Sequence, residues 1–329
     1  MKVYLPAVAS VSDEGSPPRQ FELLAQLDRY HQHTVVSDPE DADLLLFSEA
    51  HILEGDWQLK QITTSPLFCS HRTKSLVYDE RDRPWCALPG VYASMPARSF
   101  DERYQRAWSY YRVPRRPRLP HRELLFSLVA SRSNPCREPL FSIEHPRAHV
   151  EEVRNFVFYD PQSKNFAERR RVFDEILAAS KFVLCPRGRG TSSIRLYEAL
   201  AAGCVPVVIS DEWVAPSGGI LDSCILKWPE GRVGGLIELL EDTEELWPAM
   251  SSQAQEAFDD YFAENVAFHR IVELCEDLLQ TGVAQNCPRT GIRNQEWVRS
   301  GYDWARVQAR GWGATKLRKL RDISVRRGH

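Results

Sequence analysis

The 329-residue sequence has no stretch approaching eighteen uninterrupted apolar residues, so it is read as having no membrane-spanning helix. Its start, MKVYLPAVASVSDEG, lacks both a strongly basic opening and a long apolar run, and no signal peptide is read there. The eight cysteines, at 69, 86, 136, 185, 204, 224, 275 and 287, form no C-x-x-C pair, which leaves no zinc or dithiol motif. Cys185, Cys204 and Cys224 lie in apolar surroundings where a reduced thiol acts as a small hydrophobe, and a cytoplasmic home is expected. No G-x-x-x-x-G-K-[ST] is present, which removes the phosphate loop of many nucleotide-dependent kinases. Internal repeats and long low-complexity tracts are missing too. Excess charge is also scarce: the formal net charge is −3, so no nucleic-acid partner is indicated. The balance is uneven, because residues 287–329 hold eleven Lys or Arg and three acids.

What the sequence has is enough apolar content, 43% with 10% aromatic, for buried cores in two domains. Its most informative stretch is 179–219, ASKFVLCPRGRGTSSIRLYEALAAGCVPVVISDEWVAPSGG. Lys181 to Cys185 reads as a buried strand, Gly188 and Gly190 break the chain, and a helix comes next with Thr191 or Ser192 as N-cap. Gly203 is positioned to end that helix, and Val205 to Ile209 forms the next strand. Such a βαβ unit brings unpaired backbone N–H groups to the carboxyl edge of a parallel sheet, where a phosphate is stabilised. Arg187 sits in the turn, and Ser192, Arg195 and Glu198 form a polar stripe on the helix. Glu198 lies roughly 10 Å along the helix from its start, so a diphosphate at the N-terminus would leave a ribose near that carboxylate. A plain surface ion pair between Arg195 and Glu198 would satisfy the same spacing.

The segment SKFVLCPRGRGTSSIRLYEALAAGCVPVVISDEWVAPSG resembles the exostosin-like glycosyltransferases, glycosyltransferase family 47. DPEDADLLLF at 38–47, LLFSLVASRSNPCR at 124–137 and ILDSCILKWPE at 220–230 agree with that family in order. The resemblance implies a GT-B fold: two Rossmann-like α/β domains facing across a cleft, with a nucleoside-diphosphate sugar, uridine-based, on the second domain. It also implies inverting transfer to a glycan acceptor. Members usually carry a membrane anchor and a long stem, and this sequence is read as having neither.

The domains are expected at 1–117, 118–285 and 286–329, with the proline- and arginine-rich VPRRPRLPH at 113–121 as the boundary and the last span a basic extension. That extension is read chiefly as a solvated helix, with weak contact to an anionic membrane surface as the other reading. Strands are expected at Lys2 to Val8, Leu44 to Phe47, Leu76 to Tyr78, Val91 to Tyr92, Leu124 to Ala130, Asn155 to Tyr159 and Cys224 to Trp228. Helices are expected at Arg19 to His31, Phe100 to Tyr111 and Glu168 to Ala179, and over most of 233–280. Asp41 and Asp43 spell D-x-D, but they precede their strand, whereas ligands collect at carboxyl ends. No metal and no cofactor is expected. Arginines and the helix N-terminus would stabilise the departing diphosphate in its place.

The donor-side residues are therefore Arg187, Gly188, Gly190, Thr191, Ser192, Arg195 and Glu198, joined by Asp211 after the second strand and Arg132 after Ala130. The base must come from loops at the carboxyl ends of the first domain's strands, and Asp79 leads, ahead of Glu80 and His51. Asp13, Glu14, Glu49 and the rest of 79–82 share that placement. A non-catalytic protein that binds a sugar nucleotide or glycan would need the same donor residues and no base.

Overall fold

The computed structural model of the chain describes residues 1–7, 16–48, 62–82, 88–111, 113–154, 165–282 and 284. Two parallel sheets form within them. The first contains β1 (Lys2–Tyr4), β2 (Thr34–Val35), β3 (Leu44–Phe47), β4 (Ser75–Asp79), β5 (Gly90–Tyr92) and β6 (Gln105–Ala107), in the order β2-β1-β3-β4-β5-β6. The second contains β7 (Leu124–Ala130), β8 (Ala148–Glu152), β9 (Ser180–Pro186), β10 (Val205–Ile209) and β11 (Leu226–Lys227), in the order β11-β10-β9-β7-β8. Counted within its own sheet, the second has the doubly wound order 2-1-3-4-5 and the first the same order with a sixth strand added, and both reverse direction between the first and third strands. Ligands of such sheets gather outside the carboxyl ends at that reversal, which in the second sheet falls between β7 and β9.

Every residue of β3, β4 and β10 is buried. Strands covered on both faces are apolar throughout instead of alternating, which is why LLLF and VPVVI stand out in the sequence. Fully burying one such Leu, Val or Phe contributes about 1.5–3 kcal/mol. The helices are α1 (Pro17–Leu27), α2 (Pro66–Ser70), α3 (Phe166–Ala179), α4 (Ile194–Ala201), α5 (Leu236–Thr243), α6 (Trp247–Ala257) and α7 (Glu264–Gln280), with a π-helical turn, Phe258–Phe262, between the last two. Among the described residues no helix is long and apolar enough to cross a membrane.

Among the described residues the chain crosses between the sheets twice. The first crossing, at 113–122, is held by arginines: Arg115 and Arg118 donate to Asp259 of the π-helical turn, and buried Arg122 donates to Leu177 O and Ser180 O. The second is α7, which leaves the second sheet and packs on the first unit. Arg29 N donates to Asn265 O (2.9 Å), Arg106 pairs with Asp277 (2.6 Å), and the rings of His33 and His269 stack. The segment 113–122 lies between the last strand of the first sheet and the first strand of the second, and α7, which follows the second sheet in the chain, packs on the first unit.

Phe100 to Tyr111 is not a helix. Asp101 accepts from Arg103 N in a tight turn, and Gln105–Ala107 then pairs in parallel with Gly90–Tyr92. The aromatic spacing that imitates a helix arises from Trp108 and Tyr111 entering the core one after the other. Asp43 and Lys74 serve the local fold, Asp43 accepting from Lys2 N and Lys74 donating to Pro39 O and Ala42 O. The strand expected at Asn155 to Tyr159, together with Asp13, Glu14, Glu49, His51 and the 286–329 extension, lies outside the described residues.

The two units meet closely. A Cβ on Gly190 would stand 2.3 Å from Ser94 Oγ and 2.6 Å from Asp82 O, so only glycine lets this turn approach the first unit. Ser192 N donates to Ser94 Oγ (3.1 Å), Tyr197 OH donates to Trp108 O (3.2 Å), and Pro96 bridges Trp213. Two Rossmann-like sheets facing across a cleft with such a crossover constitute the GT-B plan.

Candidate functional site

A cleft of about 740 Å³ opens at the carboxyl ends of β7 and β9 and is lined by both units. The first unit contributes Glu80, Arg81, Asp82 and Tyr110. On the opposite wall stand Arg137, Arg170, Arg189 and Arg195, beside the N-terminus of α4.

Local sequence explains the second wall. Asn134 and Arg137 come after β7, and their side chains occupy the carbonyls of the turn after β9. Arg137 donates from Nε to Arg187 O (2.8 Å) and from Nη2 to Pro186 O (2.9 Å), and Asn134 Nδ2 donates to Gly188 O (3.0 Å). The carbonyls of Pro186, Arg187 and Gly188 are thus engaged by side chains of the segment after β7. Burial pulls the Arg137 guanidinium pKa below its ordinary value, as desolvation does to any cation. The N-cap of α4 is Ser193, one step past Ser192, and the helix ends before Gly203, whose φ is +70°.

Behind this wall lies a buried ionic cluster. Glu198 Oε1 accepts from Arg116 Nη2 (2.8 Å) and Arg170 Nη2 (2.7 Å), and Oε2 lies 3.2 Å from Arg195 Nη1. Arg116 Nη1 also reaches Asp174 Oδ1 at 2.8 Å. The Arg195 guanidinium stacks over Phe173 at 3.9 Å, and burial lowers its pKa too. The Glu198 carboxylate is only 4% exposed, so the spacing of Arg195 and Glu198 does not mark a surface pair. Three arginines and two carboxylates leave one formal positive charge in excess.

The structure brings together Gly188, Ser192, Arg195 and Glu198 in the cleft lining. Gly190 packs behind it against Asp82, and Thr191 is buried with no hydrogen-bond partner for its hydroxyl. Others point elsewhere. Arg187 turns toward Glu230 (3.6 Å), and Arg189 takes the cleft position. Asp211 and Glu230 clasp each other through backbone N–H groups. Arg132 pairs with Glu152 (2.9 Å) and stacks on Phe141 outside the cleft; Arg137 occupies the place expected for it.

The acids of the first wall are also redistributed. Asp79 is the last residue of β4, is 1% exposed, and is held by Arg81, whose N and Nε both donate to Oδ1 at 2.9 Å. It does not line the cleft. Glu80 and Asp82 do; Glu80 Oε1 accepts from Tyr111 N (2.7 Å) and Tyr78 OH (3.2 Å). Among the described residues no group of three or more His, Cys, Asp or Glu side chains is arranged to hold a metal. Arg116 and Arg170 gave no signal in the sequence, because they reach Glu198 across 82 and 28 positions.

Fold and cleft define a GT-B-type α/β protein with an arginine-rich wall. Residues 130–224 match the Exostosin GT47 domain, and this part of the chain is exostosin-like. The chain is 49% identical over 61 residues to the exostosin-1 homolog of Caenorhabditis elegans, covering 18% of this chain and 16% of that one. Exostosin-1b of Danio rerio is 30% identical over 128 residues, covering 36% of this chain and 16% of that protein. The matched parts thus span about one-sixth of these relatives. Sucrose-phosphate synthase from Thermosynechococcus elongatus aligns over 85% of this chain and 99% of its own, with a TM-score of 0.44 and 11% identity.

Proposed function

We propose that the protein is an inverting glycosyltransferase that moves a sugar from a uridine-diphosphate donor to a glycan acceptor. The observation that carries this reading is the polarity of the cleft: four arginines, one carboxylate and a helix N-terminus on one wall, two acids and Arg81 on the other. The exostosin-like match over the arginine-bearing wall supports the same reading.

In this reading the diphosphate lies against Arg137, Arg189, Arg195 and the first turn of α4. As the bond between the anomeric carbon and the β-phosphate oxygen breaks, its electron pair goes to that phosphate oxygen, and the arginines stabilise the charge growing there. Glu198 faces the ribose with the oxygen nearer Arg195. The acceptor hydroxyl approaches from the first wall, where Asp82, the exposed acid, takes its proton as the oxygen attacks the anomeric carbon. Glu80, tied to Tyr111 and Tyr78, keeps that wall in place. Holding both reactants in one cleft supplies the orientation. The cytoplasmic placement, and membrane contact through the basic extension, belong to the same proposal.

The test is calorimetry with uridine diphosphate, then a panel of uridine-diphosphate sugars with oligosaccharide acceptors, the product's anomeric configuration being read by NMR. No affinity for any nucleoside diphosphate refutes the reading. A retained configuration refutes only the single displacement.

A further inference from the structure

We propose that Arg116, a linker residue outside the cleft, is a positioning residue that sets the charge of the buried cluster and thereby its affinity for a diphosphate. This rests on the donor reading above and adds to it a control point on the interdomain crossing.

Arg116 is 5% exposed and bridges two helices, with Nη1 on Asp174 of α3 and Nη2 on Glu198 of α4, both at 2.8 Å. Its Nε is buried without a hydrogen-bond partner, so the guanidinium is bonded through its two terminal nitrogens. Arg170 is the competing cation: Nη2 bonds Glu198 at 2.7 Å, while Nε stands 4.0 Å from Asp174. With Arg116 satisfying Asp174, Arg170 stays turned to Glu198 and the cleft it lines. Without Arg116, Asp174 is a partly buried carboxylate short of a partner, and Arg170 is the nearest cation able to relieve it. The cluster then loses its formal positive excess, and the wall facing the diphosphate keeps Arg137 and Arg189 but has no net charge behind it.

Full-length wild type, Arg116→Gln, Arg116→Lys and Asp174→Asn are titrated calorimetrically with inorganic pyrophosphate and uridine diphosphate, with melting curves to confirm folding. Arg116→Gln weakens both ligands on the order of 10-fold, the effect of one charge roughly 10 Å away at an effective dielectric near 20. Lys restores the charge without the double bridge and binds within about threefold of wild type on the same basis. Asp174→Asn shifts the formal charge the other way and tightens pyrophosphate. That opposite sign is not produced by a purely structural role, and it keeps the proposal testable if Arg116→Gln does not fold. Unchanged affinity in Arg116→Gln, a Lys variant no better than Gln, or weaker pyrophosphate binding by Asp174→Asn overturns the proposal. Wild type binding neither ligand overturns the donor reading and the proposal together.

Discussion

The two sheets share a winding and differ in the turns at the carboxyl ends of their strands. In the second unit the turn after β9 has its carbonyls covered by Arg137 and Asn134, and arginines project into the cleft. In the first, β4 ends on a carboxylate already closed off by Arg81, and the acids that reach the cleft come one and three residues later. One wall is rich in arginine and the other carries two acids; in the proposed reaction the first would receive negative charge and the second take a proton. The same strand order therefore supports opposite electrostatics, and the two roles should separate by mutation.

The sharpest separation is on the acidic wall. Asp82→Asn should cut turnover by about 10² to 10⁴ while leaving donor affinity in place, as loss of a general base does. Asp79→Asn should do the reverse, lowering the melting temperature by loss of charge-assisted bonds of about 1.5–3 kcal/mol, with turnover within a few-fold of wild type. If Asp79→Asn abolishes transfer in a stable protein, the division between the two acids is wrong.

On the basic wall, Arg195→Ala should weaken nucleoside-diphosphate binding by about 1.5–3 kcal/mol in calorimetry. Unchanged affinity would remove Arg195 from the site. The seam between the walls is tested by Gly190→Ala, whose methyl group would meet Asp82 O at 2.6 Å. Urea denaturation should register about 1–3 kcal/mol of destabilisation, typical of overpacking.

The smallest effect concerns the base of the first unit, far from the cleft. Burial lowers the His33 pKa to about 4, with the Met1 amine and His269 adding to the shift against weaker contributions from Asp28 and Glu273. The fold therefore favours neutral His33. Its contribution to stability is complete above the unfolded pKa of about 6.5 and is lost as pH falls toward 4. Thermal melts of wild type and His33→Gln should diverge in their pH dependence over that window; parallel curves would show that His33 does not matter.

How much of this was legible in the sequence depended on how local the causes were. β3, β7 and β10 coincide with their expected spans, because doubly covered strands leave unbroken apolar runs. The turn and helix after β9 were legible too, because glycines break the apolar run and a helical pattern comes next, and the exostosin-like match covers them. Asp79 misled by a single position: reading β4 as ending at Tyr78 put its carboxylate in a loop, whereas it is the strand's last, buried residue. Arg187 and Arg132 show that a basic residue in the right turn has no assigned direction until Glu230 and Glu152 are in place. Arg116 looked like part of a linker, since nothing in VPRRPRLPH distinguishes an arginine aimed at Glu198 from one aimed at Asp259.

The return of α7 to the first unit has a consequence for how the chain is made. The strands and helices of the second unit run from Leu124 to Ala257, and the Phe258–Phe262 turn that packs on Tyr197 comes immediately after, so that unit has its own elements early. The first unit, although its strands emerge earliest, lacks the helix that stacks on His33 and receives Arg29 and Arg106 until Gln280 is reached. During vectorial synthesis the amino-terminal half is therefore the last to be sealed, and its apolar helix-facing side waits in contact with solvent or chaperone.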